Sequence, residues 1–235
     1  MITAVTAQNT VGVRAWEPVS VQLVAQQLDA LADDLPPAAI KSGMLGSATT
    51  VEVVADFIAR RRPPHYVLDP VMVATSGDRL LVREAERLFT ERLVPLAALV
   101  TPNLDEAAIL VGEAVRTPDH MERAGRALLR LGAQAALVKG GHLTGETVVD
   151  VLVTAGEAKR FSRPRIDTSS THGTGCTLSA AVTAGLAHGR PLVRAVEDAL
   201  DYVQRALASA PGLGAGHGPL NHFVPAPPRP PTEGM

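Results

Sequence analysis

From Ile2 onward, short apolar runs rich in β-branched residues alternate with longer stretches whose apolar residues recur every three or four positions. A period near 3.6 marks a helix with one buried face, and a brief unbroken apolar run marks a strand buried on both faces. Residues 2–7, 38–42, 65–71, 97–100 and 135–138 are the strand candidates. Helical spacing predicts a helix over 22–32, carrying Leu23, Val24, Leu28 and Leu31, and another after Ser47, whose hydroxyl suits an N-cap. Further helices are predicted over 84–93, 105–111, 119–131, 178–187 and 192–207. This alternation predicts an α/β fold, with a mainly parallel central sheet and helices on both faces. It breaks once: residues 148–153 and 158–162 flank Ala155-Gly156 and read as a β-hairpin. No repeat of solenoid period and no linker between two cores is visible, so residues 1–223 read as one domain. Residues 224–235, with five prolines between 225 and 231, read as a disordered tail.

Composition narrows the function of such a domain. The chain has 235 residues, 46% of them hydrophobic, enough for a sizeable core. Lys plus Arg is 22 and Asp plus Glu is 24, so the net charge is 22 − 24 = −2. That balance argues against a nucleic-acid or anionic-lipid footprint. Aromatics at 3% argue against a stacking platform for single strands. One cysteine cannot close an intramolecular disulfide, which fits a reducing compartment, and no apolar run suits a membrane span. A soluble, cytoplasmic, single-domain protein is expected.

In an open parallel sheet, ligands bind at the carboxyl ends of the strands. Five unusual loops fall at such ends: Gln8-Asn9, Gly43-Met44, Asp69-Pro70-Val71, Asn103 to Glu106, and Lys139-Gly140-Gly141-His142. The strongest local signal is His172-Gly173-Thr174-Gly175-Cys176 ahead of an Ala-rich helix. Gly173, Thr174 and Gly175 let successive N–H groups converge, and a helix N-terminus adds partial positive charge; together they suit a phosphate. Cys176 lies where the helix dipole favours a thiolate able to take a proton from a substrate hydroxyl. The plainer reading is a glycine-rich turn beside a structural cysteine.

Asp69 and Glu106 are the carboxylates placed to hold Mg²⁺ through water, with Asn103 three residues before Glu106 on the same helix side. Glu106 reads equally well as a first-turn carboxylate on the helix dipole. Lys139 suits phosphate oxygens, or stands as a solvated strand-end lysine. No P-loop is present, and the seven histidines lack metal-ligand spacing. Gly212 to Gly216 reads as a flexible turn, and His217 and His222 as surface or core residues. A cysteine hydrolase would need His172 beside Cys176.

Read in order, VTAQNTVGV (5–13), KSGMLG (41–46), DPVMVATSGDRLL (69–81), TPNLDEA (101–107), VKGGHL (138–143), THGTGCTLSAA (171–181) and GHGPLNHF (216–223) resemble the hydroxymethylpyrimidine/phosphomethylpyrimidine kinases of thiamine biosynthesis, within the ribokinase superfamily. The resemblance implies a ribokinase-like fold and an ATP- and Mg²⁺-dependent kinase. Such an enzyme phosphorylates 4-amino-5-hydroxymethyl-2-methylpyrimidine and then its monophosphate. By motif, Cys176 stands at the catalytic-base position and Gly173, Thr174 and Gly175 form the anion hole. Gln8 bonds the aminopyrimidine edge, and Met44 and Val71 flank the ring. Asn103 and Glu106 match a superfamily N-x-x-E motif that organises Mg²⁺, and Lys139 matches a lysine near the nucleotide phosphates. Members are commonly homodimers. The resemblance also implies an additional first strand and Gly-rich loop, so this chain is expected to show weak or no activity and an N-terminally extended one normal activity. Pyridoxal kinase and an inactive binding homologue are the alternatives.

Overall fold

The computed structural model describes residues 1–72 and 83–227. Residues 73–82, which include most of the DPVMVATSGDRLL segment, and the tail from 228 lie outside the described residues. Six strands form the main sheet in the order β3-β4-β5-β6-β7-β8: β3 (Ile40–Ser42), β4 (Tyr66–Leu68), β5 (Leu99–Val100), β6 (Ala136–Val138), β7 (Thr147–Val153) and β8 (Ala158–Pro164). The first four run parallel, and β7 and β8 join antiparallel as the expected hairpin.

Successive side chains of a strand point to opposite faces, and the short β4–β6 segments are apolar on both. Leu68, Val100 and Ala136 pack with Val24 and Leu28 of α1 (Val21–Asp34) and with Val51, Val54 and Ile58 of α2 (Ala48–Arg61). Val67, Leu99 and Leu137 pack instead with Leu178 and Val182 of α6 (Thr174–Ala187) and with Val196 and Leu200 of α7 (Leu192–Ala208). Between them in sequence come α3 (Arg83–Leu88), α4 (Leu104–Val111) and α5 (Pro118–Arg130). Helices therefore cover both faces, and Ser47 caps α2 as expected, its Oγ accepting from Thr50 N–H at 3.2 Å.

The amino-terminal expectation is corrected. Residues 2–7 do not form a strand of the main sheet. β1 (Ala4–Asn9) pairs antiparallel with β2 (Gly12–Pro18), unanticipated from sequence, in a separate two-stranded sheet. Residues 2–7 are apolar and β-branched as a strand of the main sheet would be, but the partner is local: Asn9 Oδ1 accepts from the N–H groups of Val11 and Gly12 and closes the turn. The hairpin lies over the loop after β3, where Thr3 Oγ1 donates to Met44 O at 2.7 Å and the Trp16 ring covers Gly46.

The segment from Gly212 to Gly216 is also not a free turn. It packs on the hairpin tip so closely that a Cβ on Gly216 would sit 2.2 Å from Thr10 O, and His217 N–H donates to that carbonyl at 2.7 Å. The same strap then meets the G-T-G-C loop: His172 N–H donates to Gly218 O, and His217 Nδ1 lies 2.9 Å from Thr171 Oγ1.

Candidate active site

The G-T-G-C residues occupy the first turn of α6, which begins four residues earlier than its apolar periodicity indicates. Gly173 is the N-cap with φ +80°, a left-handed conformation that strains any residue with a Cβ. It offers no side-chain cap; the loop is held instead by Thr174 Oγ1 donating to Thr171 O at 2.7 Å. The N–H groups of Gly175 and Cys176 have no acceptor among the described residues, as a helix N-terminus leaves them. Two oriented donors and the positive end of α6 are thus free for an anion.

Beneath this turn lies a buried charge cluster. Asp69, at the carboxyl end of β4, is 1% exposed. Its Oδ1 accepts from Lys139 Nζ at 2.9 Å and Thr101 Oγ1 at 3.1 Å, and its Oδ2 accepts from Ser179 Oγ at 3.0 Å. Lys41 Nζ stands 3.6 Å from Oδ2. Burial alone would raise the Asp69 pKa, but Lys139 and Lys41 together hold it below the ordinary carboxylate value.

Lys139 follows β6 and is not a solvated lysine. Its side chain is 14% exposed. Burial disfavours its charge, but Asp69 and Glu106 outweigh that and raise its pKa, so the ammonium persists at neutral pH. A Cβ on Gly175 would sit 3.0 Å from Nζ, so the small residue lets the ammonium lie directly under the α6 turn.

Asn103 and Glu106 form a capping box on α4. Asn103 Oδ1 accepts from Glu106 N–H at 2.9 Å, and Glu106 Oε2 accepts from Asn103 N–H at 2.8 Å. The helix-terminus reading is therefore realised. The same carboxylate is also 3.9 Å from Lys139 Nζ, so the two readings of Glu106 are not exclusive. Burial is the main reason its pKa is pushed up to about 7, with Lys139 and Asn103 N–H pulling back and Asp69 pushing further up.

That shift has a testable sign. A carboxyl whose folded pKa exceeds its unfolded value contributes stability below the unfolded pKa and loses it as pH rises through the folded one. The window here runs from about 4.5 to about 7. Glu106→Gln, measured against wild type by urea unfolding at pH 5 and pH 8, is expected to look better by about 1–3 kcal/mol at pH 8 than at pH 5. Equal differences at the two pH values would show that Glu106 ionises normally.

Cys176 is exposed. Enough protein still surrounds the thiol for desolvation to push its pKa up; Lys41 and Lys139 pull it down, and Asp69 and Glu106 push it up, leaving it raised. A helix N-terminus supplies about 0.3–1 kcal/mol, less than one pKa unit. The resting residue is therefore a neutral thiol, which corrects the expectation of a thiolate. His172, exposed and paired through its backbone with Gly218, makes no hydrogen bond to Cys176 among the described residues and gives a hydrolase no base.

Val71 lies beside Gly43, its Cγ2 3.8 Å from where a Cβ there would stand. Met44 follows immediately, half-buried like Val71. Gln8 is exposed on β1 next to a register irregularity at Ala7/Gln8, not at the end of a main-sheet strand. The structure thus gathers Asp69, Glu106, Lys139 and Cys176, sets Met44 and Val71 near Gly43, and leaves Gln8 on the overlying hairpin. Sequence reasoning missed Lys41, Thr101 and Ser179. Lys41 is a charged residue inside an apolar strand run, which is a signal of a buried partner; Thr101 and Ser179 carry none.

The sequence and the architecture have close counterparts. The family model described as phosphomethylpyrimidine kinase matches residues 1–221. The chain belongs to the phosphomethylpyrimidine kinase family. It is 48% identical over 226 residues to a hydroxymethylpyrimidine/phosphomethylpyrimidine kinase of Rhizobium meliloti, covering 95% of this chain and 85% of that one. The crystal structure of phosphomethylpyrimidine kinase from Clostridium difficile 630 superposes with a TM-score of 0.78 at 38% identity, covering 88% of this chain and 84% of that one. An ADP complex of Bacillus subtilis pyridoxal kinase gives a TM-score of 0.85 at 33% identity, covering 93% and 82%. This family member is a phosphotransferase on a kinase-type α/β fold. No described helix is long and apolar enough to cross a membrane.

Proposed function

We propose that this kinase transfers the γ-phosphoryl group of ATP to the hydroxymethyl oxygen of 4-amino-5-hydroxymethyl-2-methylpyrimidine, and then phosphorylates the monophosphate to the pyrophosphate. The observation that carries the reading is the α6 turn: free N–H groups at Gly175 and Cys176, the exposed Cys176 itself, and the Lys139 ammonium beneath. Family membership and the relatives' names supply the substrate class. In the step itself, Cys176, once ionised, accepts the hydroxyl proton as the new O–P bond forms and the β–γ bridge bond breaks. The Gly173–Cys176 turn and Lys139 hold the negative charge of the transferring group, so catalysis is positioning and electrostatic stabilisation. Met44 and Val71 flank the pyrimidine, and Gln8, on the hairpin, bonds its polar edge.

ATP use is supported by the kinase family and by the ADP-bound relative. For Mg²⁺ the donors fit an indirect role. Both Asp69 oxygens and Glu106 Oε2 already accept protein hydrogen bonds, and no group of three or more His, Cys, Asp or Glu is placed to cage a metal among the described residues. Mg²⁺ keeps several waters and binds mainly through substrate phosphates. Glu106 and Asp69, oriented by Asn103 and Lys139, would hold those waters; the ion would neutralise phosphate charge.

The test is phosphorylation from labelled ATP with hydroxymethylpyrimidine and pyridoxal side by side. Faster turnover of the pyrimidine is expected. Pyridoxal is the second reading because the fold matches a pyridoxal kinase closely; a kcat/KM favouring pyridoxal would replace the first reading, and ATP binding without transfer would leave a binding homologue. We also place the enzyme in the cytoplasm, consistent with its lone cysteine, and propose a homodimer. Exposed Ile2, Val5, Leu23 and Leu31 support association through the hairpin and α1; a monomeric mass by sedimentation would refute it.

A further inference from the structure

Asp150, on β7, is 4% exposed and has no part in the chemistry described above, yet it ties the β7/β8 hairpin to that chemistry. The β6/β7 ladder pairs Leu137 with Leu152 and Val138 with Val151, then stops. Where the next rung would fall, the Asp150 side chain takes over: its Oδ1 accepts from Gly140 N–H at 2.8 Å. Its Oδ2 pairs with the Arg163 guanidinium of β8. Gly140 has no room for a side chain, because a Cβ would lie 1.9 Å from Val149 O. The residue before it is Lys139, whose own N–H donates to Pro102 O at 2.8 Å. Both peptide N–H groups around the lysine are thus pinned, one by the β5–α4 loop and one by a carboxylate.

The following loop is clamped from the same hairpin. Arg165 donates to Gly145 O at 2.7 Å, to Gly141 O at 3.0 Å and to Leu143 O, while Leu143 N–H returns to Gly140 O at 2.9 Å.

We propose that Asp150 is a positioning residue of the phosphoryl-transfer site: its carboxylate holds the Gly140 N–H, fixing the chain direction that carries the Lys139 ammonium to the α6 turn, and Arg163 holds the carboxylate. This rests on the reading of Lys139 as a phosphate ligand. A buried carboxylate is a costly way to stabilise a hairpin that apolar pairs could stabilise as well. It is an effective way to receive one N–H where a ladder must end, because a charged acceptor strengthens that bond.

The test compares two double variants that differ in the acceptor offered to Gly140. Asp150→Asn with Arg163→Gln removes both charges and keeps an amide oxygen; Asp150→Ala with Arg163→Gln removes the acceptor. In steady-state assays on the whole chain, the Asn pair is expected to keep the nucleotide KM within about threefold. The Ala pair is expected to raise it about tenfold or more and lower kcat, with the pyrimidine KM unchanged in both. A purely structural Asp150 would lower Tm without separating the two pairs, and equal nucleotide KM values in folded protein overturn the proposal. If the Ala pair does not fold, Asp150→Val with Arg163→Gln replaces it, valine being a strand-favouring side chain that offers Gly140 no acceptor: a rise of about tenfold in nucleotide KM supports the proposal, and a KM within threefold overturns it. Lys139→Met is the control for the underlying reading. If it leaves nucleotide KM and kcat unchanged, the failure lies with Lys139 and not with Asp150.

Discussion

Cys176→Ala is expected to lower kcat by about two to four orders of magnitude, the usual contribution of a positioned general base. Nucleotide affinity should change no more than a few-fold. The separation follows from which atoms do what. The N–H groups of Gly175 and Cys176 belong to the backbone of α6 and survive the substitution, as do Gly173 in its left-handed cap and Lys139 beneath. Only the thiol is lost. Because that thiol rests neutral, raised by desolvation and by Asp69 and Glu106 against the pull of Lys41 and Lys139, the wild-type kcat should climb with pH as the thiolate fraction grows. In the alanine variant this alkaline rise should vanish. Alkylation by iodoacetamide should follow the same profile and slow when nucleotide is bound. An alanine variant that turns over near the wild-type rate would remove Cys176 from the base role.

How much of this was visible in the sequence depends on how local the cause is. Parallel strands buried on both faces announce themselves as apolar runs, and Ser47 and Asn103 cap the helices that their residue types favour. The G-T-G-C turn was legible because Gly173 meets a backbone requirement that no other residue meets cheaply. The β1/β2 pairing was missed because a six-residue β-branched run looks the same whether its partner is adjacent or sixty residues away. The charge cluster was half visible. Asp69, Glu106 and Lys139 each stood at a strand end, but that one carboxylate binds Lys139, Thr101, Ser179 and, at longer range, Lys41 depends on tertiary distances. Serine in an Ala-rich helix gives no sign of them. The neutral state of Cys176 was misjudged for a related reason: the helix dipole can be read from sequence, whereas the desolvation of the thiol by the surrounding fold, the main cause of its raised pKa, cannot.

Asp69→Ala should be the most destabilising substitution in the site, by about 3–5 kcal/mol, the cost of removing one partner from a buried ion pair. The carboxylate is 1% exposed and compensates two ammonium groups, Lys139 at 14% and Lys41 at 20% exposure. Without it, burial acts on Lys139 with only Glu106 to oppose it, and Lys41 adds like-charge repulsion. The pH dependence distinguishes this from loss of packing. In wild type, Asp69 has a lowered pKa, so its contribution is present above the ordinary carboxylate value and is lost as pH falls through the folded one. In the variant that acid loss should be absent. A lysine depressed below its unfolded pKa binds fewer protons folded than unfolded, so the variant's stability should instead rise as pH approaches 10. Urea unfolding between pH 3 and pH 10 measures both limbs. Adding Lys139→Met should recover part of the loss, because the second substitution removes the charge that the first leaves unpaired. If the two losses simply add, Lys139 and Asp69 are not energetically coupled, and the cluster is held together by something other than their charges.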